Sequence, residues 1–103
     1  MGDWIRVANA LDMESGQATC VTVHNQMIAL FNIDGKLYAI DDECPHAGAS
    51  LAEGSVQGTE VTCPWHHATF DLAEGTCLEG PSPTGVQCYP VKIENGEVFI
   101  ELP

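Results

Sequence analysis

The chain has 103 residues and a mass of 11.0 kDa, the size of one small domain. We therefore expect residues 1–103 to form a single domain and do not expect a two-domain enzyme. Its 15 Asp and Glu residues against 3 Lys and Arg give a formal net charge of −12. Such a surface disfavours nucleic acid and anionic membranes and suits either a basic protein partner or simple solubility.

The first residues, Met1 to Arg6, contain neither the basic segment nor the apolar core of a signal peptide. No apolar run reaches membrane-spanning length, so we expect a cytoplasmic protein. An odd number of cysteines in such a protein argues against a disulfide framework and favours reduced thiols that could bind metal. The five cysteines are Cys20, Cys44, Cys63, Cys77 and Cys88.

The first half of the chain reads as short strands separated by turns. Residues 4–7 alternate apolar and polar side chains, and residues 20–23 and 27–33 are apolar and β-branched. The dipeptide Asp34-Gly35 then separates two apolar runs, which predicts a hairpin with a type I′ turn into a strand over residues 36–40. Residues 9–15 are expected to form a turn or short connection rather than a helix.

The second half repeats this pattern. Short strands are predicted around Gln57-Gly58, over residues 68–72, and on both sides of Asn95-Gly96, at residues 89–93 and 98–100. We therefore expect an all-β fold, a small antiparallel sandwich or barrel. Residues 42–54 and 64–67 do not fit strand chemistry, and they carry most of the Cys and His residues.

Those two segments contain a spaced set of metal-binding residue types. Cys44-Pro45-His46 is followed, after sixteen residues, by Cys63-Pro64-Trp65-His66. Two thiolates and two imidazoles could hold a tetrahedral zinc ion or a diiron cluster. A single residue between Cys and His is awkward for one tetrahedral ion and suits a binuclear cluster, such as a Rieske [2Fe–2S] centre with two His ligands on one iron.

Together these elements resemble the Rieske iron–sulfur motif, and nearly the whole chain takes part in the resemblance. Gly48 follows the first His, and Phe70-Asp71 follows the second loop. The segment Gly80-Pro81-Ser82-Pro83 matches the family's proline loop over the cluster, and residues 89–102 resemble its closing hairpin.

The resemblance implies a ligand set and a fold with a cluster-binding tip made of two loops. Cys44 and Cys63 would bind one iron, and His46 and His66 would bind the other. The far nitrogens of the two imidazoles would point to solvent, where electrons would leave. A structural zinc module, which mediates protein binding, is the alternative of another class.

The remaining Cys and His residues are not expected to be ligands. Cys20 and Cys88 lie in apparent strands, and Cys77 lies in a turn region. His67 occupies a position where the family commonly has Gly, and we expect it to be an exposed loop residue. His24 is expected at the surface.

Departures from the high-potential branch of the family point to a low-potential protein. That branch has two further cysteines where this chain has Ala49 and Trp65, so no disulfide can join the loops. It also has hydroxyl donors to the cluster sulfurs where this chain has Ala68 and Phe70. Fewer donors mean less stabilisation of the reduced cluster.

The resemblance therefore implies a soluble ferredoxin of the kind found in aromatic-ring dioxygenase systems. It would carry one electron from a flavin-dependent reductase to a terminal oxygenase, and we expect a monomer. The alternative is the small Rieske-like subunit of a nitrite reductase. The acidic run Asp41-Asp42-Glu43, directly before Cys44, is expected near the cluster rim as a solvated loop or part of a docking face.

Overall fold

A computed structural model describes residues 3–44, 48–64, 68–79 and 85–102 of the chain. Over these ranges there are two short 3₁₀ helices, Ala10–Asp12 and Leu51–Glu53, and none is long and apolar enough to cross a membrane. The strands are β1 (Asp3–Asn9), β2 (Ala18–Val23), β3 (Gln26–Ile33), β4 (Lys36–Asp41), β5 (Ser55–Gln57), β6 (Glu60–Thr62), β7 (Thr69–Asp71), β8 (Cys77–Glu79), β9 (Cys88–Tyr89), β10 (Val91–Glu94) and β11 (Glu97–Leu102).

The strands form three small antiparallel sheets. Their orders are β1-β11-β10, β2-β3-β4-β9 and β5-β6-β7-β8. The predicted all-β class is confirmed. The third sheet is built entirely from the segment that carries Cys63 and follows Cys44.

Two predicted hairpin turns are confirmed by their backbone angles. Both residues of Asp34-Gly35 and both residues of Asn95-Gly96 have positive φ, as a type I′ turn requires. His24-Asn25 also has positive φ at both positions and joins β2 to β3. Sequence reasoning placed His24 at the surface, where it lies, but missed its turn.

The middle sheet is covered on both faces, which explains the unbroken apolar run in β3. Ile28 and Leu30 face one core, and Ala29 and Phe31 face the other, because side chains alternate along a strand. The first core also contains Met13, Val23, Ala39, Tyr89, Ile100 and Leu102. The second contains Ile40, Cys44, Ala49, Leu51, Val61, Cys63, Ala68, Phe70 and Leu72.

One predicted strand is divided in the structure. Residues 89–93 read as one strand, but β9 ends before Pro90 and β10 begins after it. Proline has no backbone N–H for a sheet, although its carbonyl accepts a hydrogen bond from Glu101 N at 3.0 Å. The chain changes sheets at this point, since β9 pairs with β4 and β10 pairs with β11.

The prediction for Cys77 was wrong. Cys77 begins β8 and is paired with Phe70 of β7. The turn ends earlier, at Gly75, which has a φ of +77°. The hydrogen bond from Gly75 N to the Asp71 carbonyl at 2.7 Å closes the turn before β8 begins.

Candidate metal centre

Two loops bring the predicted cysteines into one buried region. The first loop follows β4 and begins at Asp42, and the second joins β6 to β7. Cys44 and Cys63 each have 1% of their surface exposed, and both belong to the second core. His46 and His66, the predicted imidazole ligands, lie outside the described residues, as do Trp65, His67 and the predicted proline loop at residues 80–83.

The two loops are closed in the same way. The backbone N–H of Cys44 donates to the carbonyl of Ala49 at 2.9 Å, and that of Cys63 donates to Ala68 at 2.7 Å. Each cysteine is thus bonded to the residue five positions later. Gly48, with a φ of +71°, also donates to the Cys44 carbonyl at 2.8 Å. Equivalent closures hold the two cysteines at equivalent places in their loops.

A second layer of polar contacts closes each loop just outside the cysteine. Around the second loop, the hydroxyls of Thr62 and Thr69 are 3.2 Å apart and share a hydrogen bond. Around the first loop, Glu43 forms an isolated β-bridge with Ser50. Sequence reasoning singled out Glu43 as part of the acidic run but missed Ser50, Thr62 and Thr69. The signal available was a polar residue immediately before each cysteine and another after each loop.

The acidic run before Cys44 differs from the expectation that all three side chains would be solvated or available for docking. The Asp41 carboxylate accepts hydrogen bonds from Tyr89, Gln26 and the Gln87 backbone. Asp42 is only 4% exposed, so its carboxylate is not a docking group. Of the three, Glu43 alone is fully on the surface.

The other three cysteines are free thiols with structural surroundings. Burial, followed by the nearby charge and hydrogen bond of Asp42, raises the pKa of Cys20 to about 11. Burial and the charge of Asp71 also raise the pKa of Cys88. Cys20 and Cys88 therefore stay protonated at neutral pH, a poor state for a metal ligand. Over the described parts of the chain, no cluster of three or more Cys, His, Asp or Glu residues forms a further metal site.

The surroundings of the two cysteines are apolar. Ala68 and Phe70 are fully buried in the same core as Cys63, and Ala49 is 4% exposed beside Cys44. None of these three side chains has a hydroxyl or thiol. Buried sulfur donors on fixed loops, screened from water by aliphatic and aromatic groups, fit a metal cluster held through sulfur.

A site with two buried cysteine sulfurs on two loops fits an iron–sulfur protein. The family model described as the Rieske [2Fe–2S] domain matches residues 3–90. The chain belongs to this family, whose cofactor is a Rieske [2Fe–2S] cluster, and the resemblance noted in the sequence is confirmed.

Relatives of known role span nearly the whole chain. The ferredoxin component of the naphthalene 1,2-dioxygenase system of Pseudomonas putida is 37% identical over 99 residues, covering 96% of this chain and 95% of the relative. The 3-phenylpropionate/cinnamic acid dioxygenase ferredoxin subunit of Escherichia coli (strain K12) is 41% identical over 93 residues, covering 89% of this chain and 87% of the relative.

Solved structures share the fold. A chain from the complex of reduced oxygenase and oxidised ferredoxin in carbazole 1,9a-dioxygenase is 30% identical, with a TM-score of 0.88 and coverage of 95% of this chain and 92% of that one. A putative NADH-dependent nitrite reductase small subunit from Mycobacterium tuberculosis has a TM-score of 0.90 at 23% identity, covering 100% of this chain and 97% of that one. At that identity the likeness concerns the fold alone.

Proposed function

We propose that this chain is the ferredoxin component of a ring-hydroxylating dioxygenase system. The observation that carries the proposal is the pair of buried cysteines, Cys44 and Cys63, on two loops in which the cysteine N–H donates to the carbonyl of the residue five positions later. When bound, a Rieske [2Fe–2S] group supplies one-electron transfer. The relatives that are 37% and 41% identical belong to different dioxygenase systems. The proposal therefore covers the reaction type and leaves the aromatic substrate open.

The proposed ligands are Cys44 and Cys63 on one iron and His46 and His66 on the other. Burial of both cysteines supports this assignment, because a core position keeps water away from metal–sulfur bonds. In this proposal the described residues bury the sulfur ligands, hold the two loops in position and keep water away from the metal site.

The proposed partners are a flavin-dependent reductase, which supplies the electron, and a terminal oxygenase, which receives it. We further propose that the protein is a cytoplasmic monomer and that residues 1–103 form a single domain. The charge distribution supports a basic partner face. Residues 37–91 contain no Lys or Arg and eight acidic residues: Asp41, Asp42, Glu43, Glu53, Glu60, Asp71, Glu74 and Glu79.

The three cations lie on the other two sheets, and each has a partner there. Arg6 pairs with Glu97 at 3.3 Å. Lys92 pairs with Glu94 at 3.1 Å and lies over the Trp4 ring, 4.5 Å from its centroid. Lys36 lies 5.3 Å from the centroid of the Tyr38 ring. The segment that carries the proposed ligands therefore keeps its negative charge without compensation from Lys or Arg.

Metal content and ligand variants test the cofactor assignment. Purified protein should contain two irons and two acid-labile sulfides per chain and be red-brown. His46→Ala and His66→Ala should each lose the cluster or make it unstable, whereas the control variants His67→Ala and His24→Ala should retain it. One zinc per chain and no visible absorbance would refute the assignment.

Partner specificity separates the two candidate systems. With a flavin reductase and a terminal oxygenase, the wild-type protein should support NAD(P)H-dependent ring hydroxylation that stops when the protein is omitted. The alternative, a nitrite reductase small subunit, has the fold likeness in its favour. It predicts instead stable copurification with a large haem-containing subunit and no support of hydroxylation.

A further inference from the structure

Asp42 has a buried carboxylate at the base of the first ligand loop. Its Oδ1 accepts hydrogen bonds from Ser50 Oγ at 2.8 Å and from Ala52 N at 3.0 Å. Its backbone carbonyl accepts from Leu51 N at 2.7 Å, and its own N–H donates to Met27 O at 3.1 Å. Asp42 therefore connects β3, the start of the loop and the chain that leaves the loop.

Burying the Asp42 carboxylate costs free energy unless its oxygens accept hydrogen bonds. Both donors, Ser50 Oγ and Ala52 N, come from the chain that leaves the loop, whereas Asp42 lies where the loop begins. All these contacts hold the loop in one place relative to the middle sheet.

The second ligand loop is closed by different chemistry. There the flanking pair is Thr62 and Thr69, two neutral hydroxyls on neighbouring strands. That loop has β6 and β7 on both sides, so the sheet itself holds its ends. The first loop has a strand only before it and a 3₁₀ helix after it. Its ends are joined by the single bridge between Glu43 and Ser50 and by the side-chain bonds of Asp42, in place of continuous strand pairing.

We propose that Asp42 is a positioning residue that fixes the first ligand loop, and with it Cys44, against the second loop. The inference rests on the proposed function, since it assumes that both loops hold the cluster. Asp42 acts through Ser50 and the Ala52 amide and does not itself bind metal. Loss of these bonds would let the first loop shift and strain the metal–ligand geometry.

Four variants test the proposal: Asp42→Ala, Asp42→Asn, Ser50→Ala and, as a charge-matched control, Glu53→Gln. Glu53 is exposed in the 3₁₀ helix next to Ala52. The readouts are the rate of iron release to a chelator and the electron paramagnetic resonance spectrum of the dithionite-reduced protein. Asp42→Ala should release iron at least about tenfold faster than wild type, as expected for losing hydrogen bonds to a charged group. Its spectrum should also be shifted or broadened.

Asp42→Asn keeps an oxygen acceptor and should restore most of the wild-type release rate and spectrum. Ser50→Ala removes one donor and should give an intermediate release rate, and Glu53→Gln should match wild type. If Asp42→Ala cannot be purified with its cluster, the iron-release rate of Ser50→Ala tests the positioning role instead.

Three results would overturn the positioning role. These are a wild-type release rate and spectrum in Asp42→Ala, an Asp42→Asn variant as labile as Asp42→Ala, or a Ser50→Ala variant identical to wild type. Failure of the proposed function is recognised separately, by the iron and sulfide content of the wild-type protein before any variant is compared.

Discussion

The hydroxyl of Tyr89 donates a 2.5 Å hydrogen bond to Oδ1 of Asp41, a residue 48 positions earlier in the chain. Gln26 bonds both groups, so β3, β4 and β9 meet at this point. Burial, followed by the hydrogen bond and negative charge of Asp41, raises the pKa of Tyr89. The first ligand loop begins one residue after Asp41, so the contact anchors the strand end from which the loop departs.

Tyr89→Phe should lower the free energy of unfolding by roughly 1.5–3 kcal/mol at neutral pH, because a hydrogen bond to a carboxylate is lost. Since the pKa of Tyr89 is higher in the folded protein, its contribution is complete below the unfolded value of about 10 and declines as pH rises above it. Denaturant unfolding of both proteins between pH 7 and 11 measures this difference. A gap that widens with alkaline pH would contradict the assignment.

Gly54 brings the exit of the first loop against the entry of the second. A Cβ at Gly54 would lie 2.2 Å from the carbonyl oxygen of Thr62, the residue before Cys63. Gly54→Ala should therefore destabilise the protein by about 1–3 kcal/mol or more and reduce the iron bound per chain, measured by denaturant unfolding and metal analysis.

Gly16 is the matched control for this substitution. It has a φ of +87° and no atom within 4 Å of a built Cβ. Gly16→Ala should cost about 1–2 kcal/mol through backbone strain alone and leave the iron content unchanged. Equal loss of iron in both variants would show that the close approach at Gly54 has no special role.

Ala68 lies at the end of the second ligand loop, fully buried and without a hydroxyl. Ala68→Ser, or Phe70→Tyr in the same core, would supply a hydroxyl toward cluster sulfur. A hydrogen bond that strengthens by roughly 1–2 kcal/mol on reduction would raise the midpoint potential by about 40–90 mV. Protein-film voltammetry should place the wild type toward the low end of the Rieske range, roughly −150 mV.

Ala49→Ser provides the comparison in the other loop, because Ala49 accepts the bond from Cys44 just as Ala68 does from Cys63. The resemblance places the family's hydroxyl donors only after the second loop, so the Ala49 variant should change the potential little. A wild-type potential near the top of the Rieske range would contradict the argument from missing donors.

Charge steering should be visible in the rate of electron transfer to the oxygenase. Salt screens exposed charges over about 10 Å at 0.1 M, so the second-order rate should fall, by about tenfold, as salt is raised. Glu43→Gln with Glu79→Gln should weaken this dependence, because both acids are exposed and Glu79 is in register with Thr69 beside the second loop.

The control for electrostatic steering neutralises two exposed acidic residues in segment 9–17, so that the same number of negative charges is lost far from the ligand loops in sequence. Asp12→Asn with Glu14→Gln should retain the wild-type salt dependence, measured by stopped-flow spectroscopy. A wild-type rate that is indifferent to ionic strength would mean that the acidity serves solubility and that docking depends on apolar contacts.

The features that the sequence determined by itself are local in origin. Asp34-Gly35 and Asn95-Gly96 predicted their turns, because positive φ is a property of those residue types. The alternating spacing of Cys and His likewise indicates a metal site from residues that are close together in the sequence. Both signals depend only on local sequence, so the family and the all-β class could be predicted without the structure.

The roles of neighbouring residues became visible only in the folded protein. Asp41, Asp42 and Glu43 are consecutive acidic residues with different surroundings. Asp41 accepts a hydrogen bond from Tyr89, Asp42 accepts one from Ser50, and Glu43 is exposed to solvent. At Pro90 the chain leaves one sheet for another. Proline marks a break in strand pairing, but only the packing shows which sheet each side of it joins. Partners from distant parts of the chain come together only when the three sheets pack, and the packing decides whether a carboxylate accepts internal bonds or remains in water.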